Sequence, residues 1–170
     1  TCLNYSRIRL QEGEPLLVMS ASEVCFLRAE GALRGWNMGG QTAQQYYEQG
    51  IRVSMEEKKA TLGNYLSSTA HPADYADYEQ SYKYSAMSTV SPKWDTAAGF
   101  EENLERIIIQ KWIATYPSGW ETWADIRRTG YPKFFPIVDN KSNSTVSSSR
   151  GMRRLPFPES EKNTNTANVE

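Results

Sequence analysis

At 170 residues the chain is long enough to seal a core of its own, and 39% hydrophobic with 23% charged residues is ordinary for a globular fold. A formal net charge of −1 gives no electrostatic case for nucleic acid or an anionic membrane surface as partner, and the longest apolar run, Leu16–Met19, cannot span a bilayer. Rings are in excess: ten tyrosines and five tryptophans are more than a core of this size needs, which leaves some of them as contact groups.

The chain opens on Thr1-Cys2-Leu3, with neither an initiator Met nor a signal peptide, so it reads as processed or as part of a longer protein. Cys2 and Cys25 are the only cysteines. A disulfide between them is one reading; a small buried Cys25 on a helix and a Cys2 in a loose end is the better supported one. Residues 3–10 read as a short strand or an extended lead-in, and Gly13-Glu14-Pro15 as a turn. Ser20-x-x-Glu23 has the form of a capping box opening a helix over Ala21–Arg34, with Val24, Leu27, Phe26, Ala29 and Leu33 giving it a broad apolar surface. Gly35 ends it. Thr42-x-x-Gln45 is a second capping box, and Ala43, Tyr46, Tyr47, Gly50, Ile51, Ser54 and Met55 follow at helical spacing to about Lys58. Ala29, Gly31, Ala32 and Gly50 are small enough for two helices to approach closely. The pattern predicts one antiparallel, tetratricopeptide-type pair.

Residues 60–99 lack a sustained period. A helix within Thr61–Thr69 is expected, then a long ordered loop with a helical turn or two. From Phe100 the spacing of Leu104, Ile107, Ile108 and Trp112 predicts an amphipathic helix broken at Pro117-Ser118-Gly119. Trp120, Trp123, Ala124 and Arg127 continue on a shorter helix that Gly130 and Pro132 stop. The two should pack as a corner whose main apolar mass is the indoles of Trp112, Trp120 and Trp123. Solvent-exposed indoles, or a sheet through 104–128, would count against this frame. Phe134, Phe135 and Ile137 are then the last anchors before the polar run NKSNSTVSSSR, a flexible loop by composition. Met152–Pro158 reads as a packed extended segment, and the final KNTNTANVE as loosely held.

Support for catalysis is poor. His71 sits alone before Pro72, and no nucleophile elbow, phosphate-binding glycine loop or HExxH occurs. Asp74, Asp77 and Glu79 lack the order of a calcium loop and read better as a solvated acidic stretch. Glu101 and Glu102 suit a helix N-terminus. Asp95-Thr96-Ala97 fits a capping turn as well as it fits an O-glycosylation acceptor. Arg127-Arg128 and Arg153-Arg154 would suit a phosphate or acidic substrate, but guanidinium forks onto buried carboxylates or a helix C-terminus, tying the tail to the corner, are the better account. Sugars present flat C–H faces edged by hydroxyls, and sites for them combine stacked rings with polar side chains. Tyr75, Tyr78, Tyr82 and Trp94 beside Asp74 and Asp77 are the candidate ligand contacts on that ground.

Four stretches in order, SEVCFLRAEGALRGW (22–36), YYEQGIRVSM (46–55), IIIQKWIATYPSGWETWADIRRTGYP (107–132) and RRLPFPESEKNTN (153–165), resemble the C-terminal part of SusD/RagB-like nutrient-binding outer-membrane lipoproteins. The resemblance implies an all-α fold of tetratricopeptide-like helix pairs with long irregular loops, here one domain lacking its N-terminal portion. It further implies a lipid-anchored protein on the extracellular face of the outer membrane. Such a protein binds oligosaccharide or other nutrient ligands without cofactor or catalysis and passes them to a SusC-like TonB-dependent transporter. Cys2 lacks a preceding lipobox and is not equated with the lipidated cysteine, so the lipid anchor is expected outside this chain. The alternative is a helical scaffold for a protein partner alone, with Arg34, Arg52, Glu48 and Glu56 as a charged contact face.

Overall fold

In the computed structural model the described residues are 12–13, 17–77, 81–143 and 145–169. Readings placed on 3–10, Cys2, Tyr78 and Glu79, and so the disulfide, lie outside them. The chain divides into two units, Thr1–Lys133 and Phe134–Glu170.

Among the described residues four helices build the first unit: α1 (Ala21–Leu33), α2 (Ala43–Glu57), α3 (Phe100–Thr115) and α4 (Gly119–Thr129). The frame is therefore all-α, and α1 and α2 form the expected tetratricopeptide-like pair. Their ends fix the antiparallel sense. Glu57, in the last turn of α2, accepts the backbone N–H groups of Ala21 and Ser22 at 2.9 and 3.3 Å and the Ser22 hydroxyl at 2.6 Å. At the other end the Tyr46 hydroxyl and the Arg28 guanidinium share the carbonyl of Met38. The capping box at Thr42 is complete in both directions. That at Ser20 is half-formed: Ser20 Oγ accepts from Glu23 N, but the Glu23 side chain is held by Lys111 and Glu57 takes the remaining N–H groups. A carboxylate at a helix N-terminus also opposes the positive end of the dipole, so the distant residue serves as well as the local one.

Phe26, Ala29, Tyr46, Tyr47, Ile51, Ile107 and Ala114 form the core where α1, α2 and α3 meet. Phe26 and Tyr47 meet edge to face at 6.3 Å. Gly50 is needed there for the ring, not for backbone approach: a Cβ on it would lie 2.8 Å from Phe26 Cε1. Tyr47 sends its hydroxyl out of the apolar interior to the carbonyl of Pro92 at 2.6 Å, and burial pushes the phenol pKa up.

Three expectations need correction here. The helix in Thr61–Thr69 is only a 3-10 turn over Tyr65–Ser67. The loop beyond it contains a short hairpin, β1 (Tyr75–Ala76) and β2 (Lys83–Tyr84), with Tyr75 opposite Tyr84, where helical turns were expected. The third concerns the corner. Its helices stand where expected, with Gly130 at φ +84° closing α4, and no sheet enters 104–128. Its indoles, however, are not the buried mass: Trp112 is 42% and Trp120 72% exposed, and Trp123 is half-buried. The buried seam of α3 runs instead through Leu104, Ile107, Ile108, Lys111 and Ala114.

In the second unit Ile137 N donates to Ser148 O at 2.8 Å, Asn140 bonds Val146 O and Ser148 Oγ, and Ser147 pairs with Gly151. The serine-rich run is thus a hydrogen-bonded set of turns. Gly151, at φ +65°, lies against the ring of Phe134, where a Cβ would come within 2.9 Å. Met152–Pro158 is extended but not packed within this unit, since Met152, Leu155 and Phe157 are all exposed. The end expected to be loose, from Lys162, holds the second half of α5 (Glu159–Thr164) and a further 3-10 turn, Thr166–Asn168.

Candidate functional site

Tyr75, Tyr82, Asp74 and Asp77 come together on the hairpin. Asp77 Oδ1 accepts Tyr82 N at 2.8 Å and Asp77 N donates to Tyr82 O at 3.1 Å, closing the turn. Asp74 Oδ1 takes Ala86 N at 2.8 Å. The carboxylates therefore shape the loop and leave the rings of Tyr75 and Tyr82 outward, both exposed. Exposed rings beside carboxylates are the kinds of group that a sugar face and its hydroxyls require. Trp94 does not join them. Its ring lies 5.2 Å from that of Tyr47 and packs on the core.

The remaining polar residues act mainly in structure. Glu101 and Glu102 occupy the first turn of α3, where Glu102 pairs with Arg106 at 3.0 Å and Glu101 accepts from the Tyr131 hydroxyl at 3.2 Å. Asp95 caps Ala97 N at 2.8 Å, the turn its position allowed. His71 borders a hollow of about 340 Å³ with Tyr65, Arg106, Gln110, Trp112 and Ile113. Among the described residues no group of three or more His, Cys, Asp or Glu side chains could hold a metal ion.

Helix α4 is held by charge. Only Asp125 of its residues is buried. The Nζ of Lys111, a side chain only 4% exposed, lies 2.9 Å from Asp125, 3.5 Å from Glu23 and 3.7 Å from Glu121. Arg128 forks onto both oxygens of Glu30 and reaches Asp125 at 2.9 Å, while Arg34 bonds Glu30 at 2.8 Å. For Arg128 the expected guanidinium fork onto a buried carboxylate is present, and its anchor is α1. Arg34, expected on a free charged face, is tied to Glu30 and lies over the Phe100 ring. Burial raises the Glu30 carboxyl, but the hydrogen bonds from Arg128 and Arg34 outweigh it and hold the pKa below the ordinary value. At Glu23 burial wins over Lys111, and the carboxyl is pushed up.

Two further features involve residues that the sequence reading placed elsewhere or read mainly as structural. Trp112, Tyr116 and Trp120 stand outward along the corner, with Trp123 edge-on to Trp120 at 6.0 Å and Arg127 over the Trp123 ring at 4.5 Å. In the second unit a cavity of about 1010 Å³ is bordered by Arg150, Arg153, Arg154, Lys162, Phe157 and Val169 among others. Three arginines within five residues were the available signal for it.

An antiparallel, tetratricopeptide-like helix pair abutting a third and a fourth helix, with an irregular loop beside them, defines a helical scaffold. The chain belongs to the SusD-like family: the family model described as "Susd and RagB outer membrane lipoprotein" matches residues 1–170. The structure is similar to a SusD homologue of Bacteroides thetaiotaomicron (48% identity, TM-score 0.85, covering 94% of this chain and 34% of that one). It is also similar to one of Bacteroides uniformis (46% identity, TM-score 0.88, 97% of this chain and 35% of that one). A chitin-binding SusD homologue of Flavobacterium johnsoniae matches at 44% identity and TM-score 0.79, over 88% of this chain and 32% of its own. The chain thus spans about a third of the length of these relatives. No curated protein matches.

Proposed function

We propose that this chain takes part in capturing nutrient glycans on the extracellular face of the outer membrane and delivering them to a SusC-like TonB-dependent transporter, without breaking bonds. The observation that carries the reading is the likeness, over most of the chain, to a homologue whose name records chitin binding. The hairpin supports it from the chemistry: Tyr75 and Tyr82 are exposed rings, and Asp74 and Asp77 place carboxylates beside them. Trp94 contributes by holding the loop to the core.

Isothermal titration against neutral oligosaccharides, chitin oligomers among them, and against peptides tests the reading. Binding to a glycan is expected, and Tyr82→Ala should weaken it roughly fivefold to tenfold, the loss of one stacked ring, with the helix content unchanged. Heat with peptides alone would replace the glycan by a peptide ligand. Silence with both classes, together with co-purification of a protein partner, would favour a scaffold that binds protein only, for which the outward Trp112, Tyr116 and Trp120 are the specific support.

A further inference from the structure

One stripe of α3 borders a hollow in which a buried donor has nothing to bond. Arg106, Ile109, Gln110 and Ile113 recur at i, i+3, i+4 and i+7, so they share a helix face. Turn and loop residues between Tyr65 and Pro92 wall the other side of a space of about 340 Å³. That wall is braced. Arg106 Nε donates to Ser91 O at 3.1 Å, Lys93 N to Ser68 O at 3.1 Å, and the Tyr47 hydroxyl to Pro92 O at 2.6 Å. Gln110 is only 7% exposed. Its Oε1 accepts the Tyr65 hydroxyl at 3.1 Å, whereas its Nε2 donates to no group among the described residues and keeps some accessible surface. A buried donor left without an acceptor is destabilising, and a ligand oxygen placed against it removes that cost. The partly exposed Trp112 borders the same hollow, and its indole N–H also donates to no described group.

The lining sets the chemistry of the occupant. Arg106, the cation of the stripe, already serves Glu102, Asn103 and Ser91, so the free donors are neutral N–H groups. Beside them stand the hydrocarbon side chains of Ile109 and Ile113. Neutral donors next to hydrocarbon match a neutral acceptor flanked by an apolar group, and an acetamido substituent has that form, a carbonyl oxygen beside a methyl. The flat indole of Trp112 suits the C–H face of the ring that carries it. We infer that the hollow beside Gln110 takes the acetamido group of an N-acetylated hexosamine, with Gln110 Nε2 donating to its carbonyl oxygen. The inference rests on the glycan reading for the sugar and adds the substituent that selects it, at residues other than the hairpin tyrosines.

The test uses the full chain and three probes: the methyl glycoside of N-acetylglucosamine, methyl glucoside without the acetamido group, and N-acetylalanine methylamide, which carries the amide without a sugar ring. The acetylated sugar should bind at least about tenfold more tightly than the plain one, the scale on which a site rejects a ligand that leaves its buried donor unpaired. Its titration should shift the Gln110 side-chain amide signals in NMR, a readout that needs no variant. Gln110→Glu keeps an acceptor for Tyr65 but removes the donor, and should cost roughly tenfold with helix content unchanged. Equal affinity for the two sugars, Gln110 signals unmoved on binding, or affinity untouched by Gln110→Glu would each overturn the site. Tighter binding of the blocked alanine than of the acetylated sugar would assign the hollow to peptide and overturn the sugar. Oligosaccharide binding that Tyr82→Ala weakens but that ignores the acetamido group and Gln110 would leave the glycan reading standing and overturn the hollow alone. Silence with every sugar would overturn both.

Discussion

The three-helix interior and the α3–α4 corner adjoin one another yet are held by different forces. Where α1, α2 and α3 meet, Phe26, Tyr46, Tyr47, Ile51 and Ile107 are each at most 2% exposed, and hydroxyls of the buried tyrosines lead out to backbone carbonyls. At the corner the rings face outward, and the buried groups are Lys111, Asp125, Glu23 and Glu30. An apolar seam is insensitive to pH and costs little to bury. A charged seam is expensive to desolvate and holds only while every member is paired. The outward rings of the corner can therefore be altered without unfolding the chain, whereas neither the interior nor the charged seam tolerates much loss.

The largest effect should come from the interior. Phe26→Ala removes the ring that fills the space over Gly50 and meets Tyr47, and should cost about 3–5 kcal/mol by urea unfolding. A cost under about 1 kcal/mol would mean that the α1–α2 pair is not the stable part of the unit, and the contrast with the corner would disappear.

The middle effect is electrostatic and carries a sign. The folded-state pKa of Glu30 is depressed, so its contribution is fully present above the unfolded carboxyl value near 4.5 and is lost as pH falls through the folded one. The pKa of Glu23 is raised, which acts in the opposite sense: its contribution is present below that value and lost as pH rises through the folded one. Comparing Arg128→Ala with the parent reports on the carboxylates that Arg128 holds, Glu30 with both oxygens and Asp125 beside it. The variant should be about 1–2 kcal/mol less stable near neutrality, a figure reduced for the exposure of the Arg128 side chain. The difference should shrink below about pH 4.5. A difference independent of pH would assign Arg128 to packing alone.

Local rules made much of this fold legible. Thr42-x-x-Gln45 marked the start of α2, Pro117 the break, and Gly130 the left-handed end of α4. What escaped were features set by distant partners. Glu57 closes the start of α1 from 35 residues away in sequence, judged by its bond to Ser22, and no local box announces that. The hairpin is held by two carboxylates, Asp77 across the turn and Asp74 at Ala86, in a stretch that has no strand period. The misplaced indoles have the same origin. Helical spacing from Ile108 reaches Trp112, but the buried seam turns through Lys111, because Glu23 and Asp125 converge there and pair a cation that hydropathy alone would leave in water. Of the candidate contacts, the tyrosine-rich composition was visible, whereas the division between outward Tyr75 and Tyr82 and inward Trp94 depends on tertiary packing.

The smallest effect is also the most discriminating for the corner. Trp120 is 72% exposed and touches Trp123 edge-on, so Trp120→Ala should change stability by no more than about 0.5 kcal/mol. A buried indole truncated to Ala would instead cost about 3–5 kcal/mol. The two expectations differ several-fold, and a denaturant midpoint resolves them without any ligand. Tryptophan emission gives a second reading, since removing an exposed ring should subtract red-shifted intensity and leave the emission of half-buried Trp94 in place. A loss above about 2 kcal/mol would mean that the corner is covered in solution. Its rings would then be packing groups after all, and the charged seam would be secondary to an apolar one.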